Sequence, residues 1–461
     1  MPRLLLPLTI LLVLALAPAA SASRSQSMSF EGPKDFLNAQ SRPGALNEVQ
    51  SLGVRSLRLI VSWSTVAPGA DQAEKPRFEA TDPAAYDWGE YEALLASAKE
   101  RGMDVLVTIT GPVPKWATTA KRDNVTRPSP SAFGAFVTAI GRKFGDQVNT
   151  WAIWNEPNQP QFLRPQFARG GQAESPKIYR ALYQAAVRGL VSAGQGDDKV
   201  LIGETSPRGN ASRIVPPLRF LRGMLCLSER YKKRPNCGAL DPDGYAHHAY
   251  TTRQGPYFVP PAPHSKDDVT IGVLSRLTRA LDRARAAGAL KRILPLYLTE
   301  FGIQSTPDTQ SGVSLARQVQ FRAISERIAW NNPRVLAFSQ YLLRDSDPGP
   351  PGPQQYSGFE SGLRFADGKP KPSLPAFRLP LAVKRVGSKV SIWGLVRPAA
   401  GSTTATITYA DGGSSTFKTL RAVTTDSRGY FTVSASYRKG RRWNITWQSF
   451  SGSPVASYTS R

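Results

Sequence analysis

The 461-residue chain is poor in the side chains from which metal and redox centres are built: it has two cysteines, three histidines and four methionines. Two cysteines exclude a disulfide-dense scaffold and a four-thiolate zinc site. Three histidines, two of them adjacent (His247 and His248), leave metal ligation little to work with. Neither a metal nor a cofactor is expected. Acidic residues are also scarce, 34 against 59 Lys and Arg, for a formal net charge of +25. Such an excess favours partners with anionic surfaces, yet the basic residues are scattered and no RNP, zinc-finger or helix-turn-helix signature organises them, so nucleic acid is not expected. A solvated basic surface is the plainer explanation. No Gly-rich phosphate loop follows the first strand, which argues against an open dinucleotide-binding sheet. After residue 22 no apolar run is long enough to span a bilayer, so stable membrane insertion is not expected.

The first 22 residues read as a cleaved secretory signal. Arg3 supplies the positive start, an apolar run broken by Pro7 follows, and Ala20-Ser21-Ala22 fits an A-x-A cleavage site. An uncleaved anchor is the membrane alternative. In an exported chain Cys226 and Cys237, eleven positions apart, are most simply one disulfide closing a short loop, with two free buried thiols as the other option. The length allows one large domain of about 250 residues or more plus a second module.

Strand and helix patterns alternate through residues 23–378. Strands are expected at 27–32, 56–64, 104–111, 149–156, 199–207, 244–250, 294–300 and 335–343, with amphipathic helices between them. One helix, 86–102, closes on Gly102 as a C-cap. Eight such units imply an α/β fold of the (β/α)8 barrel type, with an open doubly wound sheet as the rival.

The fourth strand, Trp151-Ala152-Ile153-Trp154, runs into Asn155-Glu156-Pro157, where proline ends the ladder and a carboxylate emerges at the tip. The seventh delivers Glu300 in the same way. In a parallel barrel the ligand site lies at the C-terminal strand ends, where Glu31, Arg58, Trp63, Trp116, Asn155, Glu156, Glu204, His248, Tyr250, Glu300 and Tyr341 should gather. Aromatic rings that stack on sugar faces and polar groups that bind hydroxyls suit a carbohydrate, and two strand-tip carboxylates are what glycoside hydrolysis needs.

WAIWNEPN (151–158) together with LYLTEFG (296–302), His248-Ala249-Tyr250 on strand six and Arg58 on strand two resembles the clan A glycoside hydrolases. Within the clan the likeness is nearest to the cellulase-like family 5, with echoes of the β-xylosidase family 39, and it covers residues 27–378. The resemblance implies Glu156 as acid/base and Glu300 as nucleophile. It also implies Asn155 on the sugar 2-hydroxyl, Tyr250 and Arg58 holding Glu300 ionised, and His248 lining the site. Two positions depart from the family pattern. Tyr341 stands where strand eight usually carries a stacking Trp, and strand three offers Trp116 in place of a histidine. Glu204 ends strand five, with hydroxyl binding or a salt bridge as its expected role.

After a Pro/Gly-rich stretch at 345–358, expected to border the cleft, residues 379–461 read as a small β-sandwich. From 381 onward twelve basic residues face only Asp411 and Asp426. This module would either hold the protein on an anionic cell-wall polymer or merely pack against the barrel. The expected function is a secreted retaining β-glycosidase acting on a polysaccharide or oligosaccharide; the alternative is a non-catalytic carbohydrate- or wall-binding protein on the same scaffold.

Overall fold

The computed structural model describes residues 26–459, apart from 211 and 262–264. The signal segment at 1–22 lies outside the described residues. Eight parallel strands close into a barrel in sequence order: β1 (Ser27–Glu31), β2 (Ser56–Ser62), β3 (Asp104–Thr110), β4 (Thr150–Ile153), β5 (Lys199–Thr205), β6 (Gly244–His248), β7 (Leu296–Glu300) and β8 (Val335–Tyr341). The crossover helices are α1 (Arg42–Ser51), α2 (Gly89–Glu100), α3 (Pro130–Phe144), α4 (Ser175–Ser192), α5 (Pro217–Met224), α6 (Leu274–Ala286) and α7 (Leu315–Trp330), and α8 (Ser373–Arg378) follows β8. The expected barrel is present, strand for strand. No described helix is long and apolar enough to cross a membrane.

The period-two alternation of β2 shows how the barrel sorts its side chains. Leu57, Leu59 and Val61 are buried against the helical shell, which places Arg58 in the lumen between them. The helices start where their caps direct. Ser129 accepts the Ala132 N–H at the head of α3, with Pro130 at its first position, and Ser314 accepts the Arg317 N–H at the head of α7. The helix between β5 and β6 is a short one. α5 ends at Met224, and Cys226, with φ of 54°, turns the chain into a loop closed by the Cys226–Cys237 disulfide.

Beyond α8 the chain forms two antiparallel sheets. One has the order β13 (Tyr430–Ser436), β10 (Lys389–Leu395), β9 (Leu381–Val386). The other runs β12 (Lys418–Thr424), β11 (Thr404–Ala410), β14 (Arg442–Trp447), β15 (Phe450–Ser451), with β16 (Val455–Ala456) also on β14. The sequence reading missed β9 because Leu381–Val386 directly follows a Pro-rich segment and reads as its continuation. α7 serves both regions: its Val319 enters the core of the β region, and Ala323 and Ile324 pack with Ala382, Trp393 and Tyr430.

Candidate active site

The strand carrying the Asn-Glu pair ends earlier than its composition suggests. β4 stops at Ile153 because Trp154 takes φ of 71°, outside the extended region, so the turn begins before Pro157 rather than at it. Glu156 and Glu204 also have positive φ, 40° and 44°. Non-glycine residues in this region store strain, and here the surrounding hydrogen bonds hold them in place. Trp154 N donates to the Ile109 carbonyl, Asn155 N to Thr110 Oγ1, and Glu156 N to the Glu204 carbonyl at 3.0 Å. Gly302 has a comparable structural reason in the Thr-Glu-Phe-Gly run, since a Cβ there would strike the Tyr341 carbonyl oxygen.

Four carboxylates converge on the barrel mouth, and one guanidinium binds three of them. Arg58 pairs with Glu31, with Glu204 at 2.7 Å and with Glu300 at 3.2 Å; it also donates to Asn155 Oδ1 at 2.9 Å and Thr108 Oγ1 at 3.1 Å. His248 Nδ1 lies 2.9 Å from Glu156 Oε1 and 3.0 Å from Glu300 Oε2, so one ring nitrogen joins the two candidate catalytic acids. The Tyr250 hydroxyl donates to Glu300 Oε2 at 3.3 Å. Glu204 has no accessible side-chain surface and Glu31 keeps 4%, whereas Glu156 and Glu300 keep 14% and 11%, so these two are the acids most open to a ligand.

The shared environment separates the acids. Burial opposes ionisation of Glu300, but the imidazole of His248, Arg58 and the Tyr250 hydroxyl outweigh it and bring its pKa from 4.5 down to about 2. Burial raises Glu156 above 4.5, against the hydrogen bond and charge of His248. Glu31 is raised by burial to about 8 in spite of Arg58. For His248, burial works against the charged ring, yet the two carboxylates prevail and lift it to about 10. One acid is thus held ionised while its neighbour retains a proton more readily, the division of labour that acid/base pairs use.

A cleft of about 600 Å³ opens over this group, lined by Arg58, Asn155, Glu156, Tyr250, Glu300 and Tyr341 among others. With Glu31 also on its wall, the cleft brings together seven of the eleven residues expected at the site. His248 and Glu204 lie just behind that wall, the first bridging two acids and the second paired with Arg58. The remaining two are elsewhere. Trp63 is fully buried in an aromatic cluster, edge-on to Trp116 at 5.5 Å and stacked on Phe136 at 5.3 Å, and neither tryptophan lines the cleft. Trp63 begins a one-turn helix after β2, which rotates it out of the strand alternation. Sequence reasoning placed Glu31 at the strand ends without giving it a specific role, and it did not name Thr108, Thr110 or Phe359. The two threonines follow the inward alternation of β3 and were legible from it. Phe359, the residue after the Pro/Gly-rich stretch at 345–358, lines the cleft and stands edge-on to Tyr341 at 4.9 Å, whereas no residue of 345–358 itself is on the cleft wall.

Glu156, His248 and Glu300 are also the one group among the described residues whose donor atoms, all within 4.8 Å of one another, could hold a metal ion. The same atoms equally suit a proton donor tying two acids together, and Arg58 already supplies the positive charge beside them.

No family model matches the chain. Its fold is similar to that of a glucosidase from Croceicoccus marinus, with a TM-score of 0.54 at 13% identity over 93% of this chain and 97% of that one. Beta-glucuronidase 2 of Bacteroides uniformis aligns at 11% identity over 94% of this chain and 46% of its own, with a TM-score of 0.48, and no argument rests on it. In sequence, 125 residues are 28% identical to Beta-glucosidase 47 of Arabidopsis thaliana, covering 25% of this chain and 20% of that protein, so only about a fifth of that relative is spanned. The relatives named here are glycosidases, and none of them singles out the cellulase-like family 5. At these identities the shared property is the fold, a closed eight-stranded α/β barrel.

Proposed function

We propose that this protein is a secreted retaining glycosidase that cleaves β-glycosidic bonds of a polysaccharide or oligosaccharide. The observation that carries the reading is the pairing of Glu156 and Glu300 across His248, with oxygens of the two acids within 4.8 Å of each other. Retaining enzymes hold their carboxyls about 5–5.5 Å apart, whereas inverting ones need roughly 6.5–9.5 Å to admit a water, so the spacing supports double displacement. Glu300, the ionised acid, attacks the anomeric carbon while Glu156 protonates the departing oxygen. The glycosyl-enzyme ester is then opened by a water that Glu156, now a carboxylate, deprotonates. Asn155, held by Arg58, faces the cleft beside Glu300 and is placed to bind a sugar hydroxyl.

The N-terminal signal reading and the Cys226–Cys237 bridge support export to an oxidising compartment. Our division of the mature chain is a barrel at 23–378 and a β module at 379–461, whose basic excess suits an anionic cell-wall polymer.

Azide distinguishes the two roles. Glu156→Ala should retain the first step on aryl glycosides with good leaving groups, and added azide should rescue it with formation of the β-glycosyl azide. Glu300→Ala with azide should give the α-azide. Opposite anomers would exchange the assignments, and undiminished hydrolysis in both variants would place the site elsewhere, with Glu204 and Glu31 the next carboxylates to test.

A further inference from the structure

On the β1–β3 side of the barrel mouth the catalytic cleft has a mainly apolar recess, which Ser62 and Thr110 also line. Phe36 and Leu37 enter it from the end of the one-turn helix that follows β1 (Pro33–Phe36), Ile60 from β2, Tyr91 and Leu94 from the inner face of α2, and Pro112 from the turn after β3. Every formal charge that lines the cleft sits on Glu31, Arg58, Glu156 or Glu300, so none belongs to these six residues. The one hydroxyl among them is already engaged, since Tyr91 bonds with Thr65 and with the Ser62 backbone. Leu37, Ile60 and Pro112 are half-buried, partly covered by the fold but open to the cleft.

A sugar ring placed here would lose water from several hydroxyls and find few partners in return, an arrangement that disfavours binding. An alkyl or aryl group loses nothing of that kind, and each methylene removed from water strengthens binding by about fourfold. The recess is continuous with the catalytic group, and the cleft as a whole has the size of sites that hold ligands larger than a single ring. We infer that the preferred substrates are glycosides whose non-sugar part is an alkyl or aryl group, seated against Leu37, Ile60 and Pro112 while the sugar occupies the carboxylate end. This inference rests on the glycosidase reading and puts amphiphilic glycosides in place of the polysaccharide or oligosaccharide as its preferred substrates.

The test is a series of n-alkyl β-glycosides, methyl to octyl, of whichever sugar the wild-type protein accepts as an aryl glycoside. The value of kcat/KM should rise at least about tenfold from methyl to hexyl. Leu37→Gln and Ile60→Thr should each lower the hexyl-to-methyl ratio about tenfold. Two variants from different elements guard against a misfolded one. Measurable turnover with a flat chain-length series, or an unchanged ratio in both variants, would overturn the inference and leave the glycosidase reading standing. If no glycoside is turned over, that reading fails instead, and calorimetric titration with octyl glucoside decides the recess. Binding that Leu37→Gln weakens at least about tenfold supports it, and binding that is absent or unaffected overturns it.

Discussion

Two buried charge clusters in this molecule are built with opposite surpluses. At the barrel mouth one guanidinium, Arg58, is shared by the carboxylates of Glu31, Glu204 and Glu300. Where the barrel meets the β region, one carboxylate, Glu326 of α7, is shared by Arg322 of the same helix and Arg397 of the β region. At the mouth the surplus negative charge is spread by protonation and by His248: Glu31 rises to about 8 and Glu300 falls to about 2. At the junction the surplus positive charge meets neutral acceptors, with Arg397 bonding the Phe377 carbonyl and Arg322 bonding Gln340 Oε1 at 2.7 Å. Burial draws Arg322 down to about 10, against the pull of Glu326. The first cluster opens onto a cleft and divides its acids by proton affinity. The second is closed, its acid is held ionised by two arginines against the effect of burial, and its effect is to join two regions.

The largest expected difference between the clusters is in activity. Glu300→Ala should lower turnover by about a thousandfold or more while the protein still folds, because the side chain touches the cleft and the loss of its pairing with His248 and Arg58 is partly offset by relief of repulsion with Glu31. Steady-state kinetics beside a melting curve checks both halves, and comparable activity in the variant would remove the nucleophile assignment.

Glu326→Leu should behave in the opposite way. It leaves two arginines buried without their anion and should destabilise by about 3–5 kcal/mol in urea unfolding. Replacing Arg322, Glu326 and Arg397 together by apolar residues should recover most of that loss, since it is the unpaired charge that is costly. A single variant as stable as the wild type would show that the junction does not depend on this pair.

The smallest effect separates the clusters by pH. His248 has a folded pKa of about 10 against an ordinary 6.5, so its contribution to stability is complete below pH 6.5 and is lost as pH rises through 10. Glu300 has the opposite sign: its contribution is present above pH 4.5 and is lost as pH falls through about 2. Glu326 is also depressed, so the junction weakens on the acid side and not on the basic one. Stability curves of wild type and His248→Asn should therefore converge between pH 6.5 and 10. Parallel curves over that window would contradict the placement of a charged His248 between the two acids.

The eight strands were legible because buried parallel strands read as apolar runs and crossover helices carry their own period and caps. Asn155, Glu156 and Glu300 were legible as polar residues that end such runs. The two tryptophans were misplaced for a physical reason. Strand alternation assigns a face only while the strand lasts, and Trp63 and Trp116 lie just past strand ends, where a one-turn helix and a 3-10 turn redirect them into an aromatic core. The strand β9 was hidden by the proline-rich segment before it, and the β4 turn by the positive φ of Trp154, which no propensity for tryptophan suggests.

By itself the sequence determined the number and order of the barrel strands and crossover helices, though not their ends, and which polar side chains stand near strand tips, because these follow from spacing along the chain. Only the tertiary structure decided which tips meet. The hydrogen bonds from His248 to residues 92 and 52 positions away, and from Arg58 to Glu300 across 242 positions, depend on barrel closure and on the register that sets His248 beside Glu300. The protonation of each acid depends in turn on those contacts and on burial. A carboxylate's pKa is a property of its neighbours, and the neighbours of Glu156 and Glu300 are assembled by the fold.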